Sequence, residues 1–133
     1  MKVGLDTSVV LRLLTGQPAG QAEAAVAFLD DLQRRGDRPV LSDLVVEESY
    51  FALQYHYRVE KDEALKALAR LFGDGEIESM GHAAEVLATR NLASAKPGFV
   101  DRLIHREYIG GGGRMATFEI ASAKLTSVVV LGR

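Results

Sequence analysis

Apolar residues along this chain occur in short runs and in longer stretches at helical spacing. Short, largely apolar runs open the chain, follow its second long helical stretch and close it, at residues 1–5, 38–42 and 127–131. Elsewhere apolar side chains recur three and four residues apart, which is the period of a helix with one buried face. Strands that alternate with helices predict a parallel sheet covered by helices on both faces.

Glycines, prolines and capping residues divide this pattern into elements. Gly16 and Gly36 end the first two helices, and Pro97 and Gly98 precede the last long helix. The predicted strands lie at 1–5, 38–42, 77–80, 114–118 and 127–131. The predicted helices begin after Asp6 and then span 21–35, 43–57, 60–72, 82–93 and 99–108, with a short helical turn at 119–124.

The composition limits the class of protein. A chain of 133 residues, 47% of them hydrophobic, fits one domain, 1–133, with a substantial core. The absence of Cys excludes disulfides, zinc thiolate sites and cysteine nucleophiles, and it fits a reducing compartment. No apolar run approaches the ~18 residues that span a bilayer, and the N-terminal residues do not show the basic-then-apolar pattern that is typical of a signal segment. We therefore expect a cytoplasmic protein without a membrane segment.

The charge balance does not decide whether the protein binds nucleic acid. A net charge of −2 and a pI near 5.9 lack the basic excess of proteins whose binding depends mainly on phosphate neutralisation. A metal-dependent nuclease remains compatible with these values, because an acidic metal site brings its own cations to the phosphate.

Four acidic residues stand where a metal-dependent nuclease needs them. Asp6 follows the first strand, and Glu119 follows the fourth. Asp101 lies in the first turn of the predicted helix 99–108, and Glu48 lies on the predicted helix 43–57. Ligands of open parallel α/β sheets bind beyond the carboxyl ends of the strands, where the following helices begin. We therefore expect the four carboxylates to converge at this edge.

Glu48 carries the strongest signal among the four acids. It lies within the apolar stripe of helix 43–57, whereas Glu47 falls on the polar side; the stripe contains Leu44, Val45, Phe51, Ala52 and Tyr55. An inward carboxylate without a partner would raise its pKa and become neutral, so a metal ion or a hydrogen-bond network is expected. A partly exposed acid or a structural ion pair is the open alternative.

Clustered carboxylates favour a hard divalent cation. They repel one another and remain charged together only with a cation among them. Mg²⁺ usually keeps several waters and is held by one or two carboxylates plus substrate phosphate, which suits phosphodiester cleavage by an activated water. The hydroxyls of Thr7, Ser8 and Thr117 are candidates to orient the acids, although Thr7 or Ser8 equally fits a helix cap.

Basic residues near the same edge are weaker candidates. His105 lies one turn after Asp101, where an ordinary place on the polar face of the helix is favoured over a role at the edge of the site. Arg102, Arg106 and Arg114 are candidates to guide phosphate only as a group, because charged residues on helices are usually solvated.

Four ordered segments resemble the PIN domain family, in particular the small VapC-type toxins of toxin–antitoxin pairs. The segments are 6–10 (DTSVV), 41–53 (LSDLVVEESYFAL), 99–104 (FVDRLI) and 117–119 (TFE). The resemblance implies a three-layer α/β/α fold with a parallel sheet of four to five strands. It also implies an Mg²⁺- or Mn²⁺-dependent ribonuclease, a homodimer and a small antitoxin partner.

Carried over by position, Asp6, Glu48, Asp101 and Glu119 form the catalytic and metal-binding centre of such a domain. Two positions depart from the family pattern. The fourth motif usually ends in Asp where this chain has Glu119, and many members carry a further Asp where this chain has Gly98. We therefore expect one metal ion, or metal binding that RNA completes.

Two other interpretations remain at this point. Phosphatases of the haloacid dehalogenase type also place an Asp after the first strand, but they need a second Asp where this chain has Ser8. A PIN-like module that lost catalysis through Gly98 and Glu119, and that only binds RNA or protein, is the other alternative.

Overall fold

Short parallel strands and six α-helices make up the structure, a computed structural model that describes residues 1–132. The strands are β1 Lys2–Gly4, β2 Arg38–Leu41, β3 Glu78–Ser79, β4 Met115–Thr117 and β5 Val128–Val130. The helices are α1 Thr7–Thr15, α2 Ala19–Arg35, α3 Asp43–Tyr55, α4 Lys61–Leu71, α5 Ala83–Leu87 and α6 Phe99–Gly110. Two 3₁₀ turns follow α5 and β4, at Leu92–Ser94 and Ile120–Lys124. The predicted three-layer α/β/α fold is confirmed.

Hydrogen bonds divide the strands into two parallel sheets. One sheet has the order β1-β2-β3, with Val3 beside Pro39 and Val40 beside Glu78. The other pairs β4 with β5, with Ala116 beside Val129. The prediction of one sheet of four to five strands is therefore met in strand number, whereas no strand of one sheet is hydrogen-bonded to a strand of the other in the described residues.

Side chains at the starts of α1 and α3 fix how these helices leave the sheet. The Asp6 carboxylate accepts a hydrogen bond from the Thr7 amide at 2.8 Å, and the Ser42 hydroxyl accepts one from the Val45 amide at 3.2 Å. Both interactions satisfy amides that have no partner inside the helix. Gly16 ends α1 with a positive φ of 70°, a conformation that glycine adopts without strain.

The core lies between the three-stranded sheet and the helices. Its fully buried side chains include Leu41 of β2, Val46 of α3, Leu68 of α4 and Phe99 of α6. Burial of such side chains supplies most of the stabilisation of a domain of this size. Within residues 1–132, no helix combines the length and the apolar content that crossing a bilayer would require.

The predicted helix at 82–93 is wrong in extent. The helix α5 ends at Leu87, and the chain then turns through Asn91, whose positive φ of 56° is incompatible with a right-handed helix. Asn is one of the few residues that adopt this conformation readily, which explains why apolar spacing alone overestimated the helix.

Candidate active site

Asp6 and Glu48 lie at one edge of the sheet and are linked through Thr7. Asp6 lies two residues after the end of β1 and caps α1, and its side chain remains exposed. The Thr7 hydroxyl, on a residue only 9% exposed, donates a hydrogen bond to the Glu48 carboxylate on α3. The Thr7 side chain therefore orients an acid and does not cap the helix. Asp6 supplies the cap instead.

The predicted inward face of α3 is wrong. The buried positions of this helix are Val46, Ser49, Tyr50 and Leu53, whereas Glu48 is exposed and Glu47 is half-buried. The stripe that contains Leu44, Phe51 and Tyr55 lies beside the buried face and is substantially exposed. The helix carries two adjacent apolar stripes, and helical spacing alone does not tell which of them faces the core.

Asp101 and Glu119 line a common cleft of about 450 Å³, which we call the α6 cleft. Asp101 lies in the first turn of α6, and Glu119 lies just after β4. The Glu119 amide donates to the Thr117 hydroxyl at 3.0 Å, which fixes the turn between β4 and the following 3₁₀ turn. The other lining residues include Lys61, Lys96, Gly98, Tyr50, Phe51 and Phe99.

His105 connects the two segments that carry these acids. It is only 3% exposed, and its Nε2 lies 2.7 Å from the Thr126 carbonyl oxygen. Because a carbonyl only accepts, the imidazole is the donor. The interaction fastens α6, which carries Asp101, to the segment that follows Glu119. The expected position of His105 on a polar surface is therefore wrong, because the last turns of the chain cover this side of α6.

Two of the three arginines considered as phosphate guides make contacts within the fold. The Arg102 Nε donates to the Pro97 carbonyl at 2.7 Å, and Arg106 forms an ion pair with Glu85 of α5. Arg114 is exposed at the start of β4. The cations that line the α6 cleft are Lys61 and Lys96, neither of which was among the residues predicted for the site. Lys61 is the first residue of α4, and Lys96 precedes Pro97. Neither position has a periodic spacing that predicts a shared cleft.

The aromatic side of the cleft is ordered by ring contacts. The Tyr50 and Phe99 rings meet edge to face, and their centroids are 5.0 Å apart. The centroids of the Tyr50 and Phe51 rings are 5.4 Å apart. Burial raises the pKa of the Tyr50 hydroxyl, so this group is neutral at physiological pH.

The donor chemistry of the site fits a hydrated Mg²⁺ or Mn²⁺. In residues 1–132, none of the four acids takes part in an ion pair, so their charges are not balanced by basic side chains. Within the same residues, no group of three or more acids or histidines is close enough to hold a metal ion. The four carboxylates therefore do not form the single cluster that we expected from the sequence, in the residues that the structure describes. Mg²⁺ is commonly held by one or two carboxylates with waters and phosphate, so two of these acids suffice as its direct protein ligands.

Comparison with known proteins identifies the family. The model of the PIN domain matches residues 3–105, a range that begins within β1, ends within α6 and includes three of the four acids, Asp6, Glu48 and Asp101. Glu119 follows the matched range. Among curated proteins, no significant match is found. The matched range covers more than half of the chain, which therefore belongs to the PIN domain family, whose members are generally nucleases that cleave phosphodiester bonds.

Proposed function

We propose that the protein is an Mg²⁺- or Mn²⁺-dependent endoribonuclease and the toxin of a type II toxin–antitoxin system. In this role it acts in the cytoplasm as a homodimer, and a small antitoxin protein controls it. The observation that carries the proposal is the arrangement of its acids. Asp6 is tied through Thr7 to Glu48, Asp101 shares a cleft with Glu119, and no basic side chain of residues 1–132 pairs with any of them.

The four acids divide the catalytic work. Asp6 and Asp101 would hold the metal ion directly or through water, and Glu48 and Glu119 would orient the attacking water and the other hydrated ligands. When bound, the ion would supply Lewis acidity and lower the pKa of that water. Thr7 keeps the Glu48 carboxylate in one orientation, and Lys61 and Lys96 favour entry of the phosphate into the cleft.

The reaction is a hydrolysis of the RNA backbone. The water oxygen forms a bond to phosphorus, the bond from phosphorus to the 3′ oxygen breaks, and that oxygen takes up a proton. The products carry a 5′-phosphate and a 3′-hydroxyl. The acids Glu48 and Glu119 are suited to accept the proton that the water loses.

The replacement Asp6→Asn tests the assignment. Asn is as good a helix cap as Asp, so α1 and the fold should persist, while one negative ligand is lost. We expect metal-dependent cleavage of RNA to fall below detection and the circular dichroism to remain unchanged. Asp30→Asn, at an exposed acid on α2, is the matched control and should cleave as the unaltered protein does. An undiminished rate in Asp6→Asn would refute the role of Asp6.

A PIN-like module that binds RNA or protein without cleaving is the second candidate function. Two observations favour it: no acid cluster of three or more forms in residues 1–132, and Gly98 stands where many members carry an acid. Incubation of the purified protein with RNA in Mn²⁺, in Mg²⁺ and in excess chelator separates the two. Cleavage that requires the metal supports the nuclease, and binding without cleavage in every condition supports the module.

The toxin role is tested in cells. Inducible expression in a bacterial host should arrest growth, and co-expression of the small protein encoded beside it should restore growth. Asp6→Asn expressed to the same level is the control and should not arrest growth. Arrest by this variant would separate toxicity from the proposed cleavage.

A further inference from the structure

We propose that Phe51 and Tyr55 on α3 form a stacking subsite for an unpaired base of the RNA strand whose phosphate enters the α6 cleft. This inference rests on the proposed function, because it names how the substrate of that site is held. The aromatic row consists of Phe99, Tyr50, Phe51 and Tyr55, and it runs from the core to the surface.

Exposure increases steadily along the aromatic row. Phe99 is 1% exposed and Tyr50 is 6% exposed, whereas Phe51 is 39% and Tyr55 is 74% exposed. Phe51 is part of the cleft wall, and its ring stacks on Tyr55 at a centroid distance of 6.3 Å and an interplanar angle of 23°. The outer ring is therefore held by its neighbour while much of its own surface remains in solvent. Such a rigid aromatic surface is suited to stack a nucleobase.

The row is continuous with the acids of the site. Glu48, Phe51 and Tyr55 are separated by three and four residues, so they lie along one side of α3. Seven residues of helix span about 10 Å. A strand of about three stacked nucleotides, at about 3.4 Å each, covers that distance. A base on Tyr55 thus belongs to the same short segment of RNA as a phosphate beside Glu48.

Charge favours a nucleic acid as the occupant of this surface. Lys61 and Lys96 line the cleft beside Phe51, together with Asp101 and Glu119, and in the described part of the chain neither lysine is engaged in an ion pair. An apolar contact between two protein copies would gain nothing from two unpaired cations at its border, whereas the RNA backbone supplies their partners. The stacking requires a base that is not paired with another base.

The test compares Tyr55→Leu with Tyr55→Phe. Leucine keeps an apolar side chain but removes the ring, and phenylalanine keeps the ring; both changes are at a largely exposed position and should leave the fold intact. Affinity is measured by fluorescence anisotropy, in chelator, for an unstructured adenine-rich oligoribonucleotide of about six nucleotides. We expect Tyr55→Leu to bind about tenfold more weakly and Tyr55→Phe to bind like the unaltered protein.

An oligoribonucleotide of equal length that carries abasic sites keeps the charges and removes the stacking partners. Tyr55→Leu and the unaltered protein should bind this abasic strand equally. The inference fails if the Leu variant binds the adenine strand as tightly as the unaltered protein, or if it loses the same affinity for both strands. It also fails if sedimentation shows that Tyr55→Leu dissociates a dimer while its RNA affinity is unchanged, because the surface would then join two copies of the chain.

The same variants separate this inference from the proposed function. If the unaltered protein leaves RNA intact in Mn²⁺ but the binding pattern is as expected, the subsite stands and the nuclease fails. If RNA is cleaved and Tyr55→Leu both binds and cleaves like the unaltered protein, the nuclease stands and the subsite fails.

Discussion

The Thr7 hydroxyl donates a hydrogen bond to the Glu48 carboxylate and so joins the first turn of α1 to the middle of α3. Thr7 is buried, while the carboxylate it contacts belongs to an exposed residue. The contact thus holds one particular orientation of an acid that solvent would otherwise leave free to rotate. It also holds Glu48 against Thr7, the residue that follows Asp6 in the chain.

We expect Thr7→Val to weaken Mn²⁺ binding and RNA cleavage by about 10- to 100-fold, the usual effect of losing a group that orients a metal ligand. Valine has nearly the shape of threonine, so the packing of α1 should be retained. Thr7→Ser keeps the hydroxyl and should stay close to the unaltered protein. Isothermal titration with Mn²⁺ and a cleavage assay measure both effects. Equal loss in Thr7→Ser and Thr7→Val would assign the effect to packing instead.

The sequence predicts the order of the elements and the location of Asp6 and Asp101, because both depend on local rules. A strand followed by a capping residue places Asp6 just after β1, and a helix start after Pro97 and Gly98 places Asp101 in the first turn of α6. These features need only neighbouring residues in the chain.

Features that depend on packing between distant segments could not be predicted in the same way. The orientation of α3 follows from how Val46, Tyr50 and Leu53 pack with the other helices, and spacing alone offers a second apolar stripe of similar quality. The burial of His105 depends on a carbonyl at Thr126, twenty-one residues away. Contacts of this kind have no periodic signal.

We expect Gly98→Asp to increase Mn²⁺ affinity by about tenfold, because an added carboxylate raises the ligand charge of the α6 cleft. Space allows the change: a Cβ at this position would lie 3.9 Å from the Ala95 carbonyl oxygen, an ordinary contact. Position 98 also caps α6, where Asp is favoured over Gly only slightly.

Gly98→Asn is the matched control, since it caps the helix equally well without adding charge. It should leave Mn²⁺ affinity unchanged. Without metal, the Asp variant should be less stable than the Asn variant, because the new carboxylate repels Asp101 and Glu119. Equal metal affinity in the two variants would show that position 98 does not contribute to a cation site.

We expect Ser49→Ala to raise the free energy of unfolding by about 1 kcal/mol. Ser49 is fully buried in α3, and its hydroxyl has no hydrogen-bond partner among the described residues. Removing an unsatisfied buried hydroxyl, with a gain in helix propensity, should outweigh the small loss of volume. Urea denaturation measures the change.

Ser94→Ala serves as the control for this serine, because the exposed Ser94 hydroxyl donates to the Asn91 carbonyl at 3.2 Å. Its replacement should be neutral or slightly destabilising. A less stable Ser49→Ala protein would indicate that the buried hydroxyl has a partner, such as an internal water, that the alanine leaves unsatisfied.

Glu78→Gln should lower the melting temperature at pH 7 but not at strongly acidic pH. In the sheet, the Glu78 carboxylate lies 2.8 Å from the Lys2 Nζ of β1 and 3.6 Å from the Arg38 Nε of β2. The hydrogen bond and charge of Lys2, with a smaller effect of Arg38, lower the pKa of Glu78 below its ordinary value of 4.5. A carboxylate whose pKa is lowered by folding stabilises the protein above its unfolded pKa, and this contribution is lost as the pH falls through the folded pKa.

The difference in melting temperature between the unaltered protein and Glu78→Gln should therefore be constant above about pH 5. It should disappear as the pH falls below 4.5. It should also be modest and should shrink with added salt, because the pair is partly exposed. Glu76→Gln, at a neighbouring exposed acid outside any ion pair of residues 1–132, should show no such pH dependence. A difference for Glu78→Gln that persisted unchanged into acid would mean that the substitution disturbs packing between β2 and β3, because no charge would then remain to explain it.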